Sequence, residues 1–409
     1  MPPLLPIADA RRLIIQALAP VGVEDVPLAD ALGRTLRADA VARVSHPPAD
    51  VSAMDGYALR AGDVTAIGGT VTTVGESAAG NPWTGTVGPG QAVRIFTGAH
   101  MPAGADAVVL QEDTTVAGKA VTITAVPIKG RHIRRAGQDF AVGDVGLKSP
   151  RRLTVRDIGF LAAMNLPRVP AARRPRIGVL STGDEIVAPG DPVGPAQIVS
   201  ANGPGLAAFI RHHGGEAMSL GIVRDDMAAL RAAIAGAGPL DLLVTSGGVS
   251  VGDHDLMGQL MGPTSGSGAE LAFHKIAMRP GKPLLFGRVG ALPILGLPGN
   301  PVSAMICATL FLGPAIARLT GLSGEAPRTV TAVLGADMPA NDGREDHVRA
   351  TLAAPDPAGA PGTAVATPFP KQDSGMVSAL ARADALIVRP PHAPAAKAGD
   401  ICRVLPFDF

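Results

Sequence analysis

Residues 176–319 alternate predicted strands with predicted helices, and this alternation constrains the fold more than any other feature of the chain. Strands that alternate with helices form βαβ units, in which a largely parallel sheet carries helices on both faces. We therefore predict a doubly wound α/β domain here. Its apolar segments are 177–180, 205–210, 217–222, 227–234, 242–244, 256–260, 271–277, 284–286, 293–295 and a long closing helix, 302–319.

The flanking sequence predicts further domains, as expected for a chain of 409 residues. Helices are predicted over 8–18, 29–36 and 155–164, whereas short strands separated by glycine and proline fill 46–140 and recur after 326. The predicted fold class is thus multi-domain α/β plus β. The predicted domains are a discontinuous helical domain (1–45 and 141–171), an inserted β domain (46–140), the α/β domain (172–325) and a C-terminal β domain (326–409).

Composition excludes several function classes. Lys and Arg number 36 against 35 Asp and Glu, so no global basic field favours nucleic acid. Only two cysteines occur, Cys307 and Cys402, which argues against a disulfide framework and favours a reducing compartment. The N-terminus lacks signal-peptide features, and the uncharged segment 289–317 is interrupted by Pro298 and Pro301. We expect a cytoplasmic protein without a membrane span.

The segment 241–255 is the strongest candidate for a ligand site in the α/β region. An apolar strand, 242–244, is followed by small residues at its carboxyl end, where ligands of open α/β sheets bind. Glycine lets backbone N–H groups approach an anion closely, although glycine also serves plain turn geometry. Asp253 is in addition a candidate N-cap. The candidate phosphate-binding residues are Ser246, Gly247, Gly248, Ser250 and Asp253.

Acidic residues follow three of the predicted strands: Glu185, Asp225 and Asp255. If the sheet is parallel, the three loops lie at one edge and the carboxylates converge. Clustered carboxylates repel and need a cation, and hard oxygen ligands suit Mg²⁺ shared with a substrate phosphate. Taken singly, each acid is better explained by helix capping or solvation, as for Asp226 before the helix at Met227.

Basic residues follow at Lys275, Arg279 and Lys282. If 275–279 is extended, Lys275 and Arg279 share one strand face and suit an oxyanion or phosphates; ordinary solvated charges are the alternative.

The next turn, 296–303, leads into the long helix, whose N–H groups favour anions. Pro298, Asn300 and Ser303 are candidates there, although Pro301 at the first helical position makes part of this signal plain capping.

Asp55 in a turn and Thr97 at a strand end are, by chemistry alone, structural residues. No G-x-S-x-G elbow, Walker A loop or dinucleotide fingerprint occurs in its proper context, and the histidines show no H-E-x-x-H zinc spacing.

In order along the chain, the motifs resemble those of the molybdopterin molybdenumtransferases, the MoeA family, which is related to the gephyrin E domain. The resemblance implies an elongated homodimer of four-domain chains. It further implies transfer of molybdenum from molybdate into adenylylated molybdopterin, with release of AMP and a divalent metal such as Mg²⁺. The motifs are 52–60, 94–109, 135–139, 181–185, 224–226, 246–255, 275–283 and 296–304.

The resemblance also implies roles for individual residues. Glu185, Asp225 and Asp255 match active-site acids, and Lys275 and Arg279 match basic residues of the site.

Asp55 and Thr97 match positions that reach the partner subunit's α/β site, and Asp139 matches a further functional acid. Ser374 matches a C-terminal position, with Ser378 as the alternative. Gln138 departs from the family pattern, where Glu is expected.

Two other functions stay open at this stage. Single-domain molybdopterin adenylyltransferases share the α/β module but do not need residues 1–171 or 326–409; such an enzyme is also a possible partner. A non-catalytic dimeric scaffold is the second alternative.

Overall fold

The computed structural model describes residues 4–249, 256–262, 269–354 and 364–407. Ser250, Asp253 and Asp255 therefore lie outside the described residues. The helices are α1 Ile7–Ala17, α2 Val155–Ala163, α3 Asn202–His212, α4 Met227–Gly236, α5 Leu256–Leu260, α6 Pro301–Cys307, α7 Gly313–Leu319 and α8 Val377–Ala381.

Strands of the first part of the chain are β1 Val23–Pro27, β2 Thr35–Leu36, β3 Ala40–Val41, β4 Val51–Ser52, β5 Gly56–Leu59, β6 Thr70–Ser77, β7 Gln91–Ile95, β8 Ala107–Leu110, β9 Thr114–Ala117, β10 Ala120–Ile123, β11 Ile133–Arg134, β12 Val145–Leu147, β13 Arg151–Arg152 and β14 Arg168–Ala172. Those of the remainder are β15 Arg176–Thr182, β16 Ile186–Val187, β17 Ile198–Val199, β18 Glu216–Val223, β19 Leu242–Ser246, β20 Ala269–His274, β21 Met278–Arg279, β22 Leu285–Val289, β23 Leu292–Leu297, β24 Val330–Leu334, β25 Glu345–Ala353, β26 Val365–Pro368, β27 Ala385–Arg389 and β28 Ile401–Pro406.

These elements form two compact units. One unit comprises residues 1–24, 33–35 and 172–409, and the other comprises residues 25–32 and 36–171.

The first unit contains a six-stranded sheet in the order β18-β15-β19-β23-β22-β20. The first four strands are parallel, and β22 and β20 are antiparallel additions at one edge. Ser181 is paired with Ser246, and Ser246 with Leu297, so β15, β19 and β23 end at the same edge. The loops that follow these strands are therefore neighbours.

Alternate side chains of the central strands enter two different cores, as the two-residue period of a strand requires. Val179 and Val244 belong to one core with α3, α6 and α7, whereas Leu180 and Leu243 belong to the other with α4 and α5. Helices thus cover both faces, and the predicted doubly wound α/β domain is confirmed.

Helix α1 buries Ile7, Ala10 and Ile14 in the core that also holds Phe311 and Ile316. The structure thus places it with the α/β elements, whereas the sequence grouped it with residues 141–171.

The long apolar helix Pro301–Leu319 combines α6, a π-helical turn (Ala308–Leu312) and α7. By length and composition it could cross a membrane, but 83% of its most apolar 18-residue window is buried inside the protein. It is the central core helix of this unit, as the sequence predicts.

The C-terminal strands form a sheet in the order β21-β25-β26-β24-β28-β27, and the further pairing of β25 with β27 closes a barrel. The predicted C-terminal β domain is therefore confirmed. Strand β21 belongs to this barrel through its pairing with β25, although it lies within the α/β segment of the sequence.

The second unit contains a six-stranded sheet in the order β8-β5-β7-β6-β10-β9. Its core includes Tyr57, Leu59, Val71, Val109 and Ile123.

Helix α2 begins at a capping box, in which Thr154 and Asp157 satisfy each other's backbone N–H groups. The predicted helix over 29–36 is wrong. A 3₁₀ turn, Leu28–Asp30, is followed by Gly33 at φ 73° and then by β2, because a left-handed glycine interrupts a right-handed helix. The four domain boundaries stay a prediction.

Candidate active site

A cavity of about 600 Å³ lies at the carboxyl ends of β15 and β19 and beside the start of α6. Loops that follow four neighbouring strands, β18, β15, β19 and β23, contribute to it, as the parallel register dictates. Nine of the residues predicted from the sequence line it: Glu185, Asp225, Ser246, Gly247, Gly248, Lys282, Pro298, Asn300 and Ser303. The structure thus brings together the glycine turn, two acids, one lysine and the turn before the long helix.

The glycine turn after β19 requires glycine on two grounds. Gly247 and Gly248 have φ values of 91° and 63°, in the left-handed region that other residues rarely adopt. A Cβ on Gly247 would lie 2.4 Å from the carbonyl oxygen of Thr182, and one on Gly248 would lie 2.8 Å from its Oγ1. The turn therefore packs directly on the end of β15.

Asn202, the first residue of α3, connects this turn to the turn before α6. Its Nδ2 donates hydrogen bonds to Ser246 Oγ and to the carbonyl oxygen of Gly299, both at 2.6 Å. Sequence reasoning missed Asn202, because its only local signal is a position at the start of a helix. Its partners lie far away in the chain and become neighbours only through the sheet.

The start of α6 lies under the cavity. Pro301 occupies the first turn, and Ser303 is buried. The backbone N–H of Val302 donates to the carbonyl oxygen of Ser374 at 3.1 Å. Ser374 therefore lies at the beginning of this helix, although it does not line the cavity.

The loop that carries Ser374 is held by Arg349, a side chain that is 1% exposed. Its guanidinium donates to the carbonyl oxygens of Asp373 at 2.9 Å and Met376 at 3.1 Å. A buried arginine that satisfies several carbonyls fixes the conformation of the loop around it.

Glu185 and Asp225 bring two carboxylates to the cavity. The Glu185 side chain lies over Gly183, where a Cβ would come within 2.5 Å of Oε2. Asp184 Oδ1 accepts a hydrogen bond from the Asp225 N–H at 3.4 Å, which ties the two acidic loops together. Asp226 caps α4 by accepting from Ala229 N–H at 2.8 Å, so its predicted capping role is confirmed.

Within the described ranges, no group of three or more His, Cys, Asp or Glu side chains is arranged to hold a metal ion. The donor chemistry nevertheless fits Mg²⁺, because two carboxylates on one cavity leave coordination positions for water and substrate phosphate.

Lys275 and Arg279 do not share a strand face, so that expectation is wrong. Lys275 lies between β20 and β21, which belong to different sheets, and its φ of 76° is in the left-handed region. Neither residue lines the cavity. Arg279 forms an ion pair with the buried carboxylate of Asp346, and Asp342 lies 3.9 Å from its guanidinium.

In the second unit, Asp55 and Thr97 form a hydrogen-bonded pair. Asp55 Oδ1 accepts from Thr97 N–H at 2.7 Å and from Thr97 Oγ1 at 2.8 Å. These bonds, the backbone one first, and the nearby Arg94 charge lower the pKa of Asp55 below its usual value.

Gln138 and Asp139 line a separate cavity of about 540 Å³ in this unit, together with His46, His100 and Arg134. Gln138 Oε1 accepts a hydrogen bond from the Arg135 N–H at 3.1 Å and so closes the loop before Asp139.

Taken together, a doubly wound α/β domain with a cavity at its strand ends, followed by a closed β-barrel, defines a multi-domain ligand-binding protein of the α/β class. Family models match nearly the whole chain: the MoeA N-terminal region (domain I and II) over residues 5–165, the probable molybdopterin binding domain over 178–318 and the MoeA C-terminal region (domain IV) over 331–407. The chain therefore belongs to the MoeA family of molybdopterin molybdenumtransferases and is a transferase.

Individual relatives agree with this assignment. Molybdopterin molybdenumtransferase 2 of Mycobacterium tuberculosis (strain ATCC 25618 / H37Rv) is 36% identical over 85% of this chain and 87% of its own length. Molybdopterin molybdenumtransferase of Bacillus subtilis (strain 168) is 32% identical over 94% of this chain and 90% of its own. The solved molybdopterin biosynthesis moeA protein of Pyrococcus horikoshii OT3 has a TM-score of 0.83 at 27% identity, covering 99% and 100% of the two chains.

Proposed function

We propose that this chain inserts molybdenum from molybdate into adenylylated molybdopterin, releases AMP and so forms molybdenum cofactor. One observation carries the proposal: the glycine turn, Lys282, the start of α6 and two carboxylates line a single cavity. Anion-binding backbone and a cation suit the phosphates of the substrate, and the carboxylates suit a divalent metal. The proposed transfer of molybdenum is suggested by the names of the relatives, which are molybdopterin molybdenumtransferases.

Phosphate binding falls to the residues around the glycine turn. The backbone of Ser246, Gly247 and Gly248, together with the helix start near Ser303, is proposed to hold the phosphates of the pterin substrate. The Gly247 N–H would be shared with the Leu297 carbonyl, to which it donates at 3.3 Å. Lys282 neutralises part of their charge. Ser250 and Asp253, which belong to the same sequence segment, are proposed to contribute to this phosphate site.

Glu185 and Asp225, with Asp255 from the same segment, are the proposed ligands of Mg²⁺. When bound, this ion supplies charge stabilisation to the phosphoanhydride that breaks when AMP leaves. The carboxylates themselves orient the loops after β15 and β18 toward the substrate.

Molybdate is proposed to bind Lys275 and Arg279. Arg279 is half-exposed, and a guanidinium has five N–H donors, so its pair with Asp346 leaves donors for an oxyanion. These two side chains orient the oxyanion and offset its charge. No covalent intermediate with the protein is required. Lys275→Ala with full molybdate-dependent AMP release would contradict this assignment.

The working form is proposed to be a cytoplasmic homodimer, in which Asp55, Thr97 and Asp139 of one subunit complete the site of the other. The Asp55–Thr97 pair supports this, because a pre-oriented carboxylate of lowered pKa is a ready acceptor. The proposed partners include the molybdopterin adenylyltransferase that supplies the substrate; nucleic acid and membrane are not among them.

The decisive experiment supplies purified protein with adenylylated molybdopterin, molybdate and Mg²⁺ and follows AMP release. Molybdate-dependent release that needs no ATP is expected. Consumption of ATP with formation of adenylylated pterin would instead identify an adenylyltransferase, and no turnover would favour a scaffold.

Subunit sharing has a separate test. Asp55→Asn and Glu185→Ala are each expected to be inactive, and mixing them after reversible dissociation should restore about a quarter of the normal activity, because half of randomly mixed dimers carry one intact site. If mass spectrometry confirms mixed dimers but activity is not restored, both residues belong to the site of one subunit.

A further inference from the structure

Asn202 commits both hydrogens of its amide to backbone and side-chain groups of two different loops. Nδ2 donates to Ser246 Oγ and to the Gly299 carbonyl, each at 2.6 Å. Among the side chains of similar size that could replace it, a hydroxyl offers only one donor, and an ionised carboxylate offers none. The position therefore needs an amide.

The two loops joined in this way lie close together. A Cβ added to Gly299 would be in van der Waals contact with the Cα of Gly247, at 3.7 Å. One backbone bond also links them, from Gly247 N–H to the Leu297 carbonyl at 3.3 Å. Asn202 adds shorter bonds on both sides of that contact.

We propose that Asn202 is a positioning residue that sets the spacing between the glycine turn and the turn before α6, and thereby holds the phosphate-binding N–H groups in register. This inference rests on the proposed function, because it assigns those two turns to substrate phosphate. Asn202 lines the cavity, yet both of its amide hydrogens point to protein acceptors. It acts on the substrate through the turns.

The test compares Asn202→Ala with Asn341→Ala. Asn341 offers a comparable control, because its Nδ2 likewise joins two chain segments and it does not line the cavity. Its acceptors are the carbonyls of Pro390 at 2.9 Å, Arg344 at 3.1 Å and, at a longer 3.4 Å, Arg389. Both variants lose amide cross-links between loops. We expect Asn202→Ala to raise the KM for adenylylated molybdopterin about tenfold, equivalent to about 1.4 kcal/mol, with kcat within about twofold. Asn341→Ala should leave both constants within about twofold, whatever its thermal midpoint.

A KM for Asn202→Ala within about twofold of the unmodified protein would overturn the inference. So would equal changes in both variants, since that pattern reports general loosening. If Asn202→Ala does not fold, Asn202→Asp keeps the side-chain volume but places an oxygen against the Gly299 carbonyl, and the same rise in KM is expected.

Direct binding separates this inference from the proposed function. Calorimetry with inorganic pyrophosphate should show about tenfold weaker binding to Asn202→Ala, even if the unmodified protein shows no molybdate-dependent AMP release. Equal affinities, or no binding of pyrophosphate to the unmodified protein, would refute the role of Asn202 and leave the turnover assay unaffected.

Discussion

Gly247→Ala probes the glycine turn directly, because the structure gives the cost of a single methyl group. At φ 91° an alanine is strained by about 1–2 kcal/mol. Its Cβ would also lie 2.4 Å from the Thr182 carbonyl oxygen, a distance that real Cβ atoms essentially never show. The turn must therefore move by more than half an ångström away from β15.

Gly399→Ala is the matched control. Gly399 has φ 93°, nearly the same backbone strain, but nothing lies within 4 Å of its added Cβ. Because the backbone strain is similar, each variant should unfold at a thermal midpoint about 2–8 °C below that of the unmodified protein. Only Gly247→Ala displaces phosphate-binding N–H groups, and a displacement approaching 1 Å lowers kcat/KM by about 10–100-fold.

The assay is molybdate-dependent AMP release at a temperature well below both midpoints. If kcat/KM for Gly247→Ala stays within about threefold of Gly399→Ala, the glycine turn does not position the substrate and serves chain geometry alone.

Three further predictions concern other parts of the chain. Lys282→Ala should raise the KM for the adenylylated pterin about tenfold. It should also weaken the dependence of KM on salt, because salt screens the attraction between this ammonium group and the substrate phosphates. An unchanged salt dependence would show that Lys282 does not belong to the site. Thr154→Ala should destabilise the second unit by about 1–2 kcal/mol through loss of the capping box, measured by thermal or urea denaturation; equal stability would mean that the cap contributes nothing. Arg344 lowers the pKa of Asp342 from 3.8 to about 2. The stability that this carboxylate confers is present above about pH 4 and lost as the pH falls toward 2. Asp342→Asn should therefore make the thermal midpoint less dependent on pH between those values. An unchanged dependence of the midpoint on pH would contradict the assignment.

About half of the described strands could be predicted from the sequence, because their signal is local. An apolar run such as 242–244, with Pro239 before it and Gly247 after it, needs no distant partner to be recognised. The parallel edge that gathers the site followed from the alternation of strands and helices. That inference correctly brought Glu185, Asp225 and the glycine turn together.

Strand β25 was missed because its burial depends on distant groups. Asp346, His347 and Arg349 are all less than 5% exposed, yet they read as solvent-facing residues in the sequence. Asp346 is paired with Arg279, whereas the Arg349 guanidinium donates hydrogen bonds to carbonyls of the Ser374 loop. A charged residue can be buried when it is paired, and local sequence does not contain the partner.

The same limit explains Asn202 and the split between Lys275 and Arg279. Asn202 acts on residues 44 and 97 positions away. The extended appearance of 275–279 concealed a change of sheet, which the left-handed conformation of Lys275 makes possible. Alternation of side chains is meaningful only within one strand, and sequence does not mark where one sheet gives way to another.

Gln138 shows how a departure from a family pattern can be judged from geometry. Its amide oxygen accepts a hydrogen bond from Arg135 N–H, which a glutamate oxygen at the same place could also accept. The loop before Asp139 therefore does not need a negative charge at this position to keep its shape. Any requirement for negative charge in the 540 Å³ cavity then falls on Asp139, the one carboxylate among its described lining residues.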